Sequence, residues 1–340
     1  MNKIFVLAIL VLVYNCKSSV NTEAISKTIT SNQIEEMVKF LASDDIQGRR
    51  AGSEGIDKAA TYIENQFKFF GVKPYFETFR DNFKFENTKF NSNGKGSEYV
   101  DAFNVVGFIE GSDPELKKEI IVLGAHYDHI GIGESIKKYG GTLMENDSLA
   151  NGANDNASGT SAVLAMANYF AVKKNNKRSI MFALFSAEEW GLKGSRHLAK
   201  KLKESNLDVY TMINFEMIGV PLNDRDYLAF VSGYDRSNMA VKLNEYAGHK
   251  LVGFSEVSKK YQLFKRSDNY SFYEAFGAPC QSISSCDLSN FDYYHHVSDE
   301  SELMDYEFMS NLINSIIPAI EEMSNTLEKE IVMNQAQSDG

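Results

Sequence analysis

Cysteine is scarce, three in 340 residues, too few for the disulfide framework of a small secreted scaffold. Prolines number five. No Pro/Gly/Ser-rich stretch, internal repeat or low-complexity run interrupts residues 32 to 330, so a linker-jointed or repetitive chain is excluded. Basic residues total 35 against 46 acidic ones, a net charge of -11 with no Lys/Arg block, and nucleic acid is not an expected partner. Several catalytic signatures are missing too: His-Glu-x-x-His, Gly-x-Ser-x-Gly, a phosphate loop and Cys-x-x-Cys. With 43% hydrophobic and 24% charged residues, what remains is an ordinary globular chain.

The one long apolar run, Ile4 to Tyr14 behind Lys3, is too short to span a bilayer and suits a signal-peptide core. It ends in Val13-Tyr14-Asn15-Cys16, which resembles a bacterial lipoprotein box, although the residue before the cysteine is usually smaller than Asn15. The expected organisation is a signal over 1–16, a tether over 17–31, one catalytic domain over 32–330 and a frayed tail over 331–340. Localisation is expected to be export, as a lipoprotein anchored through Cys16 or as a periplasmic or secreted protein. Membrane contact is expected only through a lipidated Cys16. Cys280 and Cys286 flank a strand-like segment that would hold them about 20 Å apart, so both read as buried free thiols.

Ile56, Ala60, Ile63, Phe67 and Phe70 recur at helical spacing, predicting a helix over 55–70 that stops at Gly71. Segment 81–99, polar and rich in Asn and Lys, reads as a surface loop or hairpin. Apolar runs then alternate with helical patterns. Strands are expected at 120–123, 180–185, 212–215 and 281–285, with helices over 161–172 and 192–205. Continuous Val/Ile/Phe strands separated by helices imply a largely parallel sheet covered on both faces, with the site beyond the strands' carboxyl ends.

Candidate ligands stand at those ends. The first strand runs into His126-Tyr127-Asp128-His129, and Asp155 precedes a helix in Asn154-Asp155-Asn156-Ala157-Ser158-Gly159. Later strands deliver Glu188-Glu189, Asn214-Phe215-Glu216-Met217 and Tyr293-Tyr294-His295-His296. Singly, each has a bland reading: a solvated charge pair, a helix cap, a loop histidine. Carboxylates repeatedly placed at the edge of wholly apolar strands would be costly to bury without a cation, and imidazole with carboxylate is zinc-ligand chemistry.

In order and spacing, these motifs resemble those of the co-catalytic dizinc aminopeptidases, metallopeptidase family 28 of the zinc exopeptidases. The resemblance extends from about Ile34, through Gly48-Arg49-Arg50-Ala51-Gly52-Ser53, to about Leu312. It implies an α/β single-domain zinc-exopeptidase fold, a mixed, mostly parallel sheet of about eight strands between helices. It also implies two Zn2+ ions, one on His126 and Glu216, the other on Glu189 and His295, bridged by Asp155. Glu188 would be the general base, Tyr294 a hydroxyl polarising the scissile carbonyl, and Asp128 the partner orienting His126. His129 and His296 adjoin ligands without filling a ligand position.

Two residues depart from the family pattern. Glu216 stands where Asp is usual, and its extra methylene moves the carboxylate. Ser267-Asp268-Asn269 has Asn where His is usual; Asp268 is open between a substrate contact and an ordinary loop carboxylate. The implied function is an exported exopeptidase acting on peptides, foremost an aminopeptidase. A carboxypeptidase or dipeptidase, a glutaminyl-cyclase-like enzyme and a non-catalytic binding module are the alternatives. The preferred N-terminal residue, physiological metal and oligomeric state stay open.

Overall fold

The computed structural model describes residues 28–87 and 99–335. The expected signal with Cys16, the tether to residue 27, residues 88–98 and residues 336–340 of the tail lie outside the described residues. Packing starts earlier and ends later than the expected domain limits. Ile29, assigned to the tether, is buried and donates its N–H to Asn314 Oδ1 at 3.0 Å. Thr30 and Gln33 then form the reciprocal capping box that opens helix Ser31–Leu41. At the far end Ile331 is buried and Asn334 donates its N–H to the Arg236 carbonyl at 2.9 Å, so the tail is packed as far as residue 334. Burial of these two isoleucines draws both flanks onto the domain.

Helix Glu54–Phe70 follows its periodicity, burying Ile56, Ala60, Ile63 and Phe67, and Gly71 ends it in the left-handed region. The strands, in chain order, are β1 (Lys73–Pro74), β2 (Arg80–Glu86), β3 (Tyr99–Ile109), β4 (Glu119–His126), β5 (Gly131–Ile132) and β6 (Leu149–Ala150). After them come β7 (Ser179–Phe185), β8 (Asp208–Phe215), β9 (Ala229–Val231), β10 (Val252–Gly253) and β11 (Cys280–Ser284). Nine form one sheet in the order β1-β3-β7-β4-β8-β11-β9-β10, with β2 on β3. The four central strands β7, β4, β8 and β11 run parallel, while β3 and β9 flank them antiparallel.

Burial on both faces explains the unbroken apolar runs. Ile121, Leu123 and Ala125 of β4 join the core built with helix Gly159–Lys173. Ile120 and Val122 turn to the other face, against Leu198, Ala199 and Leu202 of helix Lys193–Glu204. The parallel strands therefore end on one edge, where His126 closes β4 and the residues after β7 and β8 emerge. Cys280 opens β11 and Cys286 lies just past it; both are buried free thiols.

Candidate metal centre

Two histidines approach one carboxylate from opposite sides. Nε2 of His126 lies 3.2 Å from Asp155 Oδ1, and Nε2 of His295 lies 3.4 Å from Asp155 Oδ2. Each ring is set by a main-chain carbonyl facing its other nitrogen: Asp128 O at 3.1 Å from His126 Nδ1, and Tyr139 O at 3.3 Å from His295 Nδ1. Donation from Nδ1–H to those carbonyls turns both Nε2 atoms inward, where a cation can take the place of the Nε2 proton. Glu216 Oε1 stands 3.2 Å from His126 Nε2, and Glu189 Oε2 stands 3.1 Å from His295 Nε2.

The turn bearing Asp155 is fastened on two sides. Asp299 accepts the N–H groups of Asn154 and Asp155 at 2.8 and 2.9 Å. Asn156, Ser158 and Asn154 accept the successive N–H groups of Met217, Ile218 and Gly219, which bolts this turn to the segment after β8 that carries Glu216. A Cβ at Gly159 would come within 2.3 Å of the Phe215 carbonyl, so the close approach requires glycine.

The longer side chain of Glu216 is accommodated by a hydroxyl. Ser267 Oγ donates to Glu216 Oε2 at 2.5 Å and itself accepts from Asn214 Nδ2 at 2.7 Å. One carboxylate oxygen is thereby committed, and Oε1 faces His126.

Asp128 lies 3.8 Å by its carboxylate from His126 Nδ1; its carbonyl, not that carboxylate, faces the ring. The carboxylate instead accepts the Glu188 N–H at 3.0 Å. His129, given no ligand position by the sequence, is fully buried with Nδ1 3.0 Å from Glu189 Oε1 and 3.9 Å from Asp155 Oδ2. His296 turns to accept the Ser298 N–H. Asp268 is fully buried close to this cluster, within reach of the charges of His126, Glu216 and Glu189. Tyr294 stacks on the His295 ring at 4.0 Å and lines a cleft with His126, Asp155, Glu188, Glu216 and His295. A neighbouring cleft of about 900 Å3, lined by Gly233, Arg236, Phe254 and Lys259, holds none of these residues.

Donor atoms of His126, Asp155 and Glu216 lie within 4.8 Å of one another, as do those of His129, Asp155 and Glu189. Among the described residues no Lys or Arg ion-pairs with Asp155, Glu188 or Glu216. Carboxylates gathered this way, with imidazole, fit a borderline divalent cation such as zinc.

These groups shift one another's proton affinities. Burial opposes a proton on His295, yet Glu189 and Asp155 push it up to about 11; the same contest, led by Glu216 and Asp155, holds His126 well above its ordinary value. Glu189 is drawn down to about 2 because His295 and His129 outweigh its burial. Glu188 moves the other way, well above the usual carboxylate range, through burial and the charges of Glu189, Asp268 and Glu216. Burial likewise takes Asp128 up to about 8 and Asp268 up to about 7. Binding a cation here would release the histidine protons.

These features define an α/β protein with an imidazole–carboxylate nest at the carboxyl edge of its sheet. Residues 104–320 match the sequence profile of "Peptidase family M28", and the chain belongs to that family. It is similar to a "Probable zinc metalloprotease" of Leptosphaeria maculans, 34% identical over 122 residues, 36% of this chain and 26% of that protein. It is also similar to a "Probable leucine aminopeptidase" of Trichophyton verrucosum, 27% identical over 207 residues, 58% of this chain and 49% of that protein. The chain thus spans about a quarter to a half of these relatives' length. Among solved structures, the LapA aminopeptidase of Legionella pneumophila shares the fold at a TM-score of 0.63 and 22% identity, over 88% of this chain and 72% of that one. A Porphyromonas gingivalis glutaminyl cyclase shares it at 0.62 and 15%, over 87% and 99%.

Four residues of the assembly carried no signal of their role. Asp299 and Ser267 act on main-chain or side-chain atoms far away in sequence, which no spacing reveals. His129 gave the same signal as any loop histidine. Arg49 stands in the quoted Gly48–Ser53 motif, yet only the structure shows its fully buried guanidinium donating to the carbonyls of Leu41, Tyr127, Asn151 and Gly152.

Proposed function

We propose that this chain is a zinc exopeptidase that binds two zinc ions and removes N-terminal residues from peptides. The carrying observation is Asp155, whose two oxygens face His126 and His295 separately, with Glu216 beside one histidine and Glu189 beside the other. The zinc and aminopeptidase descriptions of its relatives agree with that reading. Zinc bound there would polarise the scissile carbonyl and lower the pKa of water.

The chain's residues supply the rest. Glu188, whose burial and carboxylate neighbours raise its proton affinity, takes a proton from water as the new C–O bond forms. It returns that proton to the amide nitrogen as the C–N bond breaks, so the released amine leaves neutral. The Tyr294 phenol stays protonated, because burial and the charges of Asp155, Glu189 and Glu188 disfavour the phenolate. It can donate to the oxygen on which negative charge develops. Asp128 fixes the main chain of Glu188 throughout.

The reading extends to location: residues 1–16 direct export, and the protein is either anchored through a lipidated Cys16 or released as a periplasmic or secreted protein. Turnover of the purified protein with zinc, on aminoacyl, N-blocked and N-terminal glutaminyl substrates, tests the activity. Release of the first residue from free-amine peptides is expected. Cleavage of blocked peptides alone, or cyclisation of the glutaminyl substrate alone, would overturn it.

A further inference from the structure

At the wall of the catalytic cleft stands one basic side chain besides the two histidines. Arg266 is exposed, lines the cleft with Tyr294, Leu263 and Leu288, and has no ion-pair or side-chain hydrogen-bond partner among the described residues. In a chain with net charge -11, where carboxylates are plentiful, a guanidinium left open beside a catalytic cleft is not explained as an ordinary surface charge pair. Its main chain is anchored: the backbone N–H donates to the Leu263 carbonyl at 3.0 Å, and the next residue, Ser267, is buried and bonded to Glu216. Its charge reaches Tyr294, on which it acts against the surrounding carboxylates.

The cleft is therefore polarised, acidic within and basic at Arg266. We propose that Arg266 is a specificity-determining residue that binds a carboxylate of the substrate lying close to the scissile bond. This rests on the aminopeptidase reading above and adds to it a substrate class. A short peptide is charged in the matching sense, with its ammonium end drawn to the acidic interior and its carboxylate to the guanidinium, whose planar fork suits that group. The carboxylate is either the C-terminus of a dipeptide or an acidic side chain flanking the bond.

Three matched pairs separate the sources on the zinc-loaded full chain: Leu-Gly against Leu-Gly amide, Leu-Glu amide against Leu-Gln amide, and Glu-Gly amide against Gln-Gly amide. At least one carboxylate member should exceed its neutral partner in kcat/KM by roughly 10- to 100-fold, the span of a charge-assisted hydrogen bond, and the ratio should be carried by KM. Arg266→Ala should bring that ratio to about one, Arg266→Glu should invert it, and Arg266→Lys should restore part of it. Calorimetric binding of the same pairs gives a readout that needs no turnover. Equal affinity within every pair, or a preference that survives Arg266→Ala, overturns the role of Arg266. Failure to cleave any neutral member overturns the aminopeptidase reading instead, while the binding ratio still decides for or against Arg266.

Discussion

The main-chain N–H of Glu188 donates to Oδ1 of Asp128 at 3.0 Å, tying the segment after β7 to the segment after β4. The carboxylate of Asp128 thus holds the proposed base, while its carbonyl orients His126. Asp128→Ala should lower kcat about 10- to 100-fold with zinc content retained, since the carbonyl survives the substitution. Asp128→Asn keeps an acceptor oxygen and should recover most of the loss. Zinc analysis beside steady-state kinetics checks this; loss of zinc in Asp128→Ala would assign the carboxylate to the metal instead.

Glu188→Gln keeps the shape of the site and removes the proton acceptor. Turnover should fall by at least about 10^2-fold with both zinc ions retained. Near-normal activity would remove Glu188 from the chemistry.

Ser267→Ala leaves Oε2 of Glu216 without its donor and frees the longer side chain to wander. Zinc affinity at the site of His126 and Glu216 should weaken about 10- to 100-fold, read by competition with a chelator. In a Glu216→Ala background the same change should have no effect, because the hydroxyl then has no carboxylate to hold.

Away from the site, the buried carboxylate of Asp81 accepts Lys201 Nζ at 2.7 Å and Asn104 Nδ2 at 3.1 Å. Burial works against its charge, but His197 and Lys201 prevail and draw its pKa below the ordinary value. A depressed carboxylate contributes stability above its unfolded pKa of about 3.9 and loses it as pH falls through the folded value. Asp81→Asn should therefore cost about 1–2 kcal/mol near pH 7, and the difference from the unsubstituted protein should shrink below about pH 4. Denaturant titrations across that range give the comparison; a difference that stays constant with pH would contradict it.

The strands were legible because both faces of the sheet are covered, so Ile120–Leu123 and Ile180–Phe185 read as unbroken apolar runs. The strand-end rule then pointed to the loops where the structure gathers His126, Asp155, Glu188, Glu189, Glu216 and His295. That Asp128 orients His126 was expected from the resemblance, but not that its carbonyl does so while its carboxylate holds Glu188, since a backbone carbonyl has no letter in the sequence. Ile29 looked like part of a polar flank because a lone apolar residue has no period, and Ile331-Val332-Met333 is too short a run to show one. Neither the serine behind Glu216 nor Asp299 behind Asp155 could be found from spacing, because each meets its partner only through the closed fold.

The account depends most on Asp155 joining two metal ions. Anomalous diffraction at the zinc edge from crystals of the zinc-loaded protein reads this directly. Two peaks are expected, one among His126, Asp155 and Glu216, the other among Asp155, Glu189 and His295. A single peak, or a second one bound by His129 with His295 turned away, would contradict the account.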